Sequence, residues 1–287
     1  MIICENPDFH ALPGPLSALF SAAAELSFFG QAEWFGLVAR HGCDPGLSVR
    51  LYADSAEPAA MLICRAAAGR LDGLSNFYTM EYAPIIAANE AGPLAAASAL
   101  IGDIAREHPT WNRYRFDALD PTEPSYSALL NGMKSAGLVA NAFFDCGVWF
   151  EDTTRMEFKQ YLESRPSQLL NTWRRRERSS KAESVRYLYN DPDQDLESLI
   201  AAYDAVYANS WQKKEGYPEF MPALMRMAAR LGALRLGVCY IRDTPAAAQF
   251  WLVWRGRAVI YKLAYDQRYA KLSLGTLLTM RMMERVL

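Results

Sequence analysis

Residues 261–278 read YKLAYDQRYAKLSLGTLL. YKLAY alternates like a half-buried strand, a short polar run follows, and beyond Gly275 the apolar residues recur at helical spacing. A strand that stops at a glycine before a helix has two readings. One is a plain turn. The other is a phosphate cradle, because the first turn of a helix carries unpaired N–H groups and a partial positive charge. One glycine is a far weaker signal than a glycine-rich phosphate loop, so this stretch alone leaves both readings open.

The flanking sequence supplies the context. LRLGVCYIR (234–242), a turn at Asp243-Thr244-Pro245, AAAQFWLVWR (246–255), a turn at Gly256-Arg257 and AVIYKLAYD (258–266) predict a three-stranded antiparallel meander. Upstream, the pattern predicts an amphipathic helix over 157–180, a strand over 184–190, and helices over 196–214 and 220–232, the last stopped by Gly232. The first half has a similar order. Strands are expected over 47–54, 59–66 and 74–82, then a helix opened by Gly92-Pro93, a strand over 111–119, a helix over 124–138 closed by Gly137, and strand character over 139–152.

The halves align without gaps. Pro58-Ala59-Ala60 matches Pro245-Ala246-Ala247, Gly69-Arg70 matches Gly256-Arg257, and Tyr78 and Tyr82 match Tyr265 and Tyr269, all at one offset. This predicts a tandem repeat of one α/β (α+β) fold, each copy a mixed, largely antiparallel sheet flanked by helices. The domains expected are 1–150 and 151–287. The first copy continues from its helix into strand, helix and strand, whereas the second stops at its helix. The second domain is therefore expected to lack its last strands and to leave a sheet edge for something else to cover.

Composition narrows the function. The chain is 51% hydrophobic and 22% charged, which places it among folded globular proteins. A net charge of −2 provides no overall field for nucleic acid or anionic lipid. Cys4, Cys43, Cys64, Cys146 and Cys239 are scattered without CxxC spacing, which favours reduced thiols in a cytoplasm over a disulfide framework or zinc site. No cysteine stands near a histidine in a nucleophile motif, and His10, His41 and His108 lie far apart, so no metal is expected. The N-terminus has no cationic start before an apolar run and does not read as a signal peptide. No apolar run reaches the ~18 residues of a membrane span.

RPSQLLNTWRRRER, SWQKKEGYPEFM, GALRLGV, AAAQFWLVW and YKLAYDQRYAKLSLGTLL resemble the CelD/BcsL-type acetyltransferases. These are a double-GNAT group of acyltransferases related to the Fem aminoacyltransferases. LSNFYTMEYAPII is similar to that group's N-terminal half. The family usually has a proline where Leu274 stands, and it continues beyond the last helix into a strand and an aromatic, basic tail.

The resemblance implies an acyl-CoA-dependent N- or O-acyltransferase using acetyl-CoA or another acyl-CoA without a metal. The acceptor would be a cell-envelope or exopolysaccharide precursor, such as a lipid-linked saccharide, attacking the thioester directly. Backbone groups of Ser273, Leu274, Gly275, Thr276 and Leu277 would meet the pyrophosphate, and Leu263, Ala264 and Tyr265 the pantetheine and thioester carbonyl. Glu215 would be the general base. Tyr265 would protonate the departing thiolate, and Asp266 would assist it or cap the turn. Trp211 would line the acceptor pocket. Arg174 and Arg175, in a basic run with Arg176, Arg178 and Lys181, would bind phosphate on the acceptor or on the cofactor's nucleotide. Plainer readings stand beside these: an exposed glutamate, packing aromatics and a solvated basic face. Two other functions stay open, an aminoacyl-tRNA-dependent transferase and an inactive scaffold. A homodimer stays open as well.

Overall fold

The computed structural model describes residues 1–88, 91–145, 147–182 and 184–287. The chain forms two units, Met1–Gly147 and Val148–Leu287. The first unit opens with β1 (Ile2–Glu5), α1 (Gly14–Leu26) and α2 (Ala32–His41), then β2 (Ser48–Ala53), β3 (Ala60–Ala67), β4 (Arg70–Gly73) and β5 (Ile85–Ile86). It continues through α3 (Ala91–Glu107), β6 (Arg113–Arg115) and α4 (Pro124–Ser135). Among the described residues its sheet has the order β1-β2-β3-β4-β6, with β5 on the other part of β3. All pairings are antiparallel except that of β4 with β6.

The second unit runs α5 (Phe158–Glu163), α6 (Ser167–Ala182), β7 (Val185–Tyr189), α7 (Leu196–Ala208), α8 (Phe220–Arg230), β8 (Leu234–Ile241), β9 (Thr244–Trp254), β10 (Arg257–Tyr265) and α9 (Leu274–Val286). Its sheet is antiparallel throughout, in the order β7-β8-β9-β10. Strand, two helices, three-stranded meander and helix recur in both units, which is the tandem fold expected from the sequence. β9 and β10 are joined by Arg255 and Gly256, both at positive φ (46° and 77°), as a two-residue hairpin turn demands.

The two faces of β9 sort the second core. Phe250, on one face, packs edge-on to Tyr203 of α7 at 5.6 Å. Ala247 and Trp251, on the other, join Leu274, Leu277, Leu278 and Met282 of α9. Strand alternation produces this split.

Several expected elements differ. Residues 74–82 are not a strand: β4 stops at Gly73, and Asn76 Oδ1 accepts from the Tyr78 amide at 2.9 Å, closing a side-chain turn that competes with a ladder. Tyr82, expected at the strand's end, instead donates its buried hydroxyl to the Ile63 carbonyl at 2.7 Å. The repeat thus holds through the meander and diverges after Gly73. The strand expected over 111–119 shrinks to β6. The strand character of 139–152 gives no strand, and Val139, Phe143, Phe144, Trp149 and Phe150 are exposed; Cys146 lies outside the described residues. The single helix expected over 157–180 is two, broken at Pro166, where the ring disfavours helix in the preceding residue. The helix over 196–214 ends at Ala208.

Packing in the first unit is tight where α3 crosses α4. A Cβ placed on Gly132 would lie 2.4 Å from the Ser98 carbonyl oxygen and 3.0 Å from Ile101 Cβ. Gly132→Ala should therefore cost about 1–3 kcal/mol of stability by overpacking, read as a lowered denaturant midpoint with an unchanged slope. A neutral result would mean that the two helices are not held at this separation.

Candidate functional site

β10 is the edge of the second sheet among the described residues, and it carries the donor-site residues named from the sequence. Leu263 pairs with Gln249, Ala264 with Ala248 and Tyr265 with Ala247. The register shifts between Ile260 and Lys262, a bulge that re-aims the side chains following it. The outer row of β10 backbone groups has no paired strand among the described residues. Gln212 Nε2 donates to the Leu263 carbonyl of this strand at 3.4 Å.

After Tyr265 the chain turns sharply. Asp266 is buried, and Oδ1 accepts from the Arg268 amide at 2.9 Å. Both carboxylate oxygens also hold the Arg268 side chain, with Nε at 3.0 and 2.9 Å. This caps the 3-10 helix Gln267–Leu272. The Arg268 hydrogen bonds hold the Asp266 carboxyl below its ordinary pKa. Of the two roles expected for Asp266, the geometry displays the cap.

Ser273 then adopts a left-handed conformation (φ 57°, ψ 37°) and makes no side-chain cap to α9. A proline at 274 would push its predecessor toward extended backbone. With leucine there, residue 273 is free to turn left-handed, and Leu274 is buried in the core against β9. The first-turn amides of α9 therefore receive no cap from Ser273, and a helix N-terminus of this kind favours an anion. Gly275 has ordinary backbone geometry. A Cβ there would meet only Tyr265 Cδ1, at 3.6 Å, so the free protein has room for a small side chain.

The position of that turn is set by Gln249, a buried amide in the middle of β9. Its Nε2 donates to the Gly275 carbonyl at 3.0 Å and to Thr279 Oγ1 at 2.7 Å, and its Oε1 accepts from Trp251 Nε1 at 3.1 Å. Thr279 Oγ1 in turn donates to the Gly275 carbonyl at 2.9 Å. The sequence reading passed over Gln249. Its signal was a lone amide in AAAQFWLVW, a strand otherwise wholly apolar, where a buried polar group needs partners.

Tyr265 borders the turn, and the Trp211 ring lies 4.5 Å from the Tyr265 ring. Trp211 is 46% exposed, so it is not a core tryptophan. Glu215 is no exposed glutamate either. Its Oε1 pairs with Lys262 Nζ at 2.9 Å, with side chains only 14% and 16% exposed. The structure thus sets Trp211 beside Tyr265 at the Gly275 turn, on the α9 face, and Glu215 on Lys262, whose side chain takes the opposite face of β10.

Arg174 and Arg175 stand exposed on α6, which packs through Trp173 against the core and through the Glu177–Arg281 ion pair to α9. The Lys181 side chain lies outside the described ones. The buried Cys64 and Cys239 thiols are pushed up by desolvation, Cys239 to about 12, so neither supplies a thiolate. A cavity of about 150 Å³ lies at the far end of α9, lined by Tyr189, Asp191, Arg235, Met282 and Arg285, away from this cluster.

Residues 167–287 match the family model described as an acetyltransferase (GNAT) domain. The match lies within the second unit and supports an acyltransferase. No curated protein matches the chain. Among solved structures, L-PGS from Bacillus licheniformis is similar in fold, with a TM-score of 0.53 at 12% identity over 96% of this chain and 72% of that one. Two others fall below a TM-score of 0.5 and carry no weight here. The C-terminal domain (DUF2156) of a lysylphosphatidylglycerol synthetase candidate from Agrobacterium fabrum scores 0.49, at 14% identity over 88% of this chain and 70% of that one. A tandem GNAT protein from the clavulanic acid biosynthesis pathway scores 0.44, at 11% identity over 95% and 81%.

Two outcomes follow from the turn. Gln249→Leu strands the buried Trp251 N–H and should cost about 1–3 kcal/mol, measured by denaturant unfolding; no loss would mean that the amide is not a tether. Asp266 has a folded pKa below its unfolded value. Its contribution is therefore complete above about pH 4, the ordinary aspartate range, and is lost as pH falls through the lower folded value. Asp266→Asn should flatten that acid-side fall in stability, and an unchanged pH profile would contradict it.

Proposed function

We propose that the chain is an acyl-CoA-dependent N- or O-acyltransferase that acts by direct attack of the acceptor on the thioester. The observation that carries this reading is the uncapped first turn of α9, held by Gln249 at the end of the open edge strand β10 in a GNAT domain. The pyrophosphate is assigned to the backbone of Ser273–Leu277, and the pantetheine to the edge of Leu263–Tyr265, where it would replace the Gln212 amide on the Leu263 carbonyl. Leu274 contributes its backbone, because its side chain is buried.

In the reaction the acceptor nitrogen or oxygen forms a bond to the thioester carbon as the carbon–sulfur bond breaks. The sulfur leaves with the electron pair, Glu215 takes the acceptor's proton, and Tyr265 gives one to the thiolate. A preorganised oxyanion donor is worth about 2.7–4 kcal/mol where measured in other enzymes. Holding the two reactants together supplies up to about 7–11 kcal/mol. Such chemistry needs few side chains. Asp266 acts by shaping the turn, and Trp211, partly exposed beside Tyr265, lines the acceptor side. The acceptor class, a cell-envelope or exopolysaccharide precursor in the cytoplasm, is supported by the CelD/BcsL-like wording of the sequence.

The exposed Arg174, Arg175 and Arg178 favour a second reading, transfer from aminoacyl-tRNA. It requires binding that falls steeply with salt, against a net charge of −2.

A thermal-shift screen against acetyl-CoA and longer acyl-CoAs should raise the melting temperature of the parent. Gly275→Ala should leave the free protein's melting temperature unchanged or slightly higher, whereas Gly275→Glu should abolish the ligand shift by placing a carboxylate against the pyrophosphate. A parent that no acyl-CoA stabilises overturns the reading in favour of tRNA or scaffold. A shift indifferent to Gly275→Glu moves the phosphate site elsewhere.

A further inference from the structure

Lys262 pairs in register with Phe250 and so shares the α7 face of the sheet, whereas Leu263 pairs with Gln249 and lies on the α9 face. Beneath α7, the Lys262 ammonium sits between the Glu215 carboxylate, at 2.9 Å, and the Tyr207 ring, 5.7 Å to its centroid. The pair is mostly buried, yet Lys262 stands next to the partly exposed Leu263 on the sheet's edge strand. Two opposite charges held in such a place are costly to separate unless each receives another partner. Next to them the Tyr203 hydroxyl is buried and has no hydrogen-bond partner among the described residues. Burial first, and then the Glu215 charge, push its pKa well above the ordinary tyrosine value. A buried donor left unpaired costs about 1–3 kcal/mol, and a bound polar group would satisfy it.

We propose that the Glu215–Lys262 pair is the acceptor subsite and takes an amino-acid unit with a free ammonium and a free carboxylate. The ligand's ammonium replaces Lys262 on Glu215, and its carboxylate takes the Lys262 ammonium, so every charge stays paired. A simple amine takes Glu215 from Lys262 and returns no carboxylate, and a simple acid takes Lys262 from Glu215 and returns no ammonium. Tyr207, whose ring faces the Lys262 ammonium, gives the unit's side chain an aromatic neighbour. Glu215 takes one proton from the bound ammonium, the neutral nitrogen this leaves is the nucleophile, and its second proton goes to solvent as the carbon–sulfur bond breaks; Lys262 is a specificity-determining residue. This rests on the acyltransferase reading and narrows its acceptor from any saccharide to one bearing an amino acid, or to an amino acid itself.

The test is calorimetric binding to the full chain without donor. A panel of the common amino acids is used, each beside its decarboxylated amine and its deaminated acid. At least one amino acid should bind about tenfold or more tightly than both of its halves, the scale of one charge-assisted hydrogen bond. Lys262→Met should reduce it to the level of its amine, and Glu215→Gln to the level of its acid. Because either single change removes one half of a mostly buried ion pair, the double variant Glu215→Gln/Lys262→Met supplies the folded control. It should keep the parent's melting temperature to within a few degrees and lose the preference. An amine that binds as well as its amino acid, a double variant that keeps the preference, or a panel with no binder overturns the proposal. Amino-acid binding without any acyl-CoA shift would instead leave the subsite standing and overturn the donor reading.

Discussion

The second unit depends on a single buried amide. Gln249 stands at the centre of an apolar strand, and its three hydrogen bonds tie β9 to the first turn of α9 and to the indole of Trp251. Hydrophobic burial alone would pack α9 on the sheet, but it is non-directional and would not fix the helix along its axis. The amide does, because a buried donor with no partner is expensive. Its hold on the Gly275 carbonyl places the opposite end of that turn, the free amides, beside Tyr265 and the end of β10.

The left-handed Ser273 is the local cost of this arrangement. A non-glycine residue at φ 57° is strained by about 1–3 kcal/mol, and the surroundings hold it there from both sides. The Asp266 cap fixes the 3-10 helix before it, and the buried Leu274 fixes the helix after it. The strain at residue 273 is thus offset by a leucine side chain at 274 that packs in the core.

Much of this was legible in the sequence. The meander, its turns at Gly256-Arg257, the helix stop at Gly232 and the repeat between the halves all come from local chemistry, which strand alternation and glycine position carry directly. The tertiary readings were not legible. Residues 74–82 alternate well enough for a strand, but Asn76 closes a side-chain turn, and the pull of the Tyr82 hydroxyl on Ile63 shows only once β3 is in place. Pro166 was visible inside the helix spanning it, and its breaking effect should have outweighed the amphipathic pattern. At the site, Gly275, Tyr265, Glu215 and Trp211 were all named; Trp211 and Gly275 border Tyr265, and Glu215 pairs with Lys262. Gln249 and Lys262 were missed because each acts through a partner distant in the chain. A glutamine in a strand and a lysine in YKLAY look ordinary until Gly275 and Glu215 are seen beside them.

The central claim is that the first-turn amides of α9 are an anion site positioned by β9. Amide resonances of isotope-labelled protein titrated with desulfo-CoA test it most directly, because that ligand keeps the pyrophosphate but lacks the reactive sulfur. The account predicts saturable shifts concentrated at Gly275, Thr276 and Leu277, with Tyr265 moving alongside. Shifts confined to the arginines of α6, with the α9 amides unmoved, would contradict it.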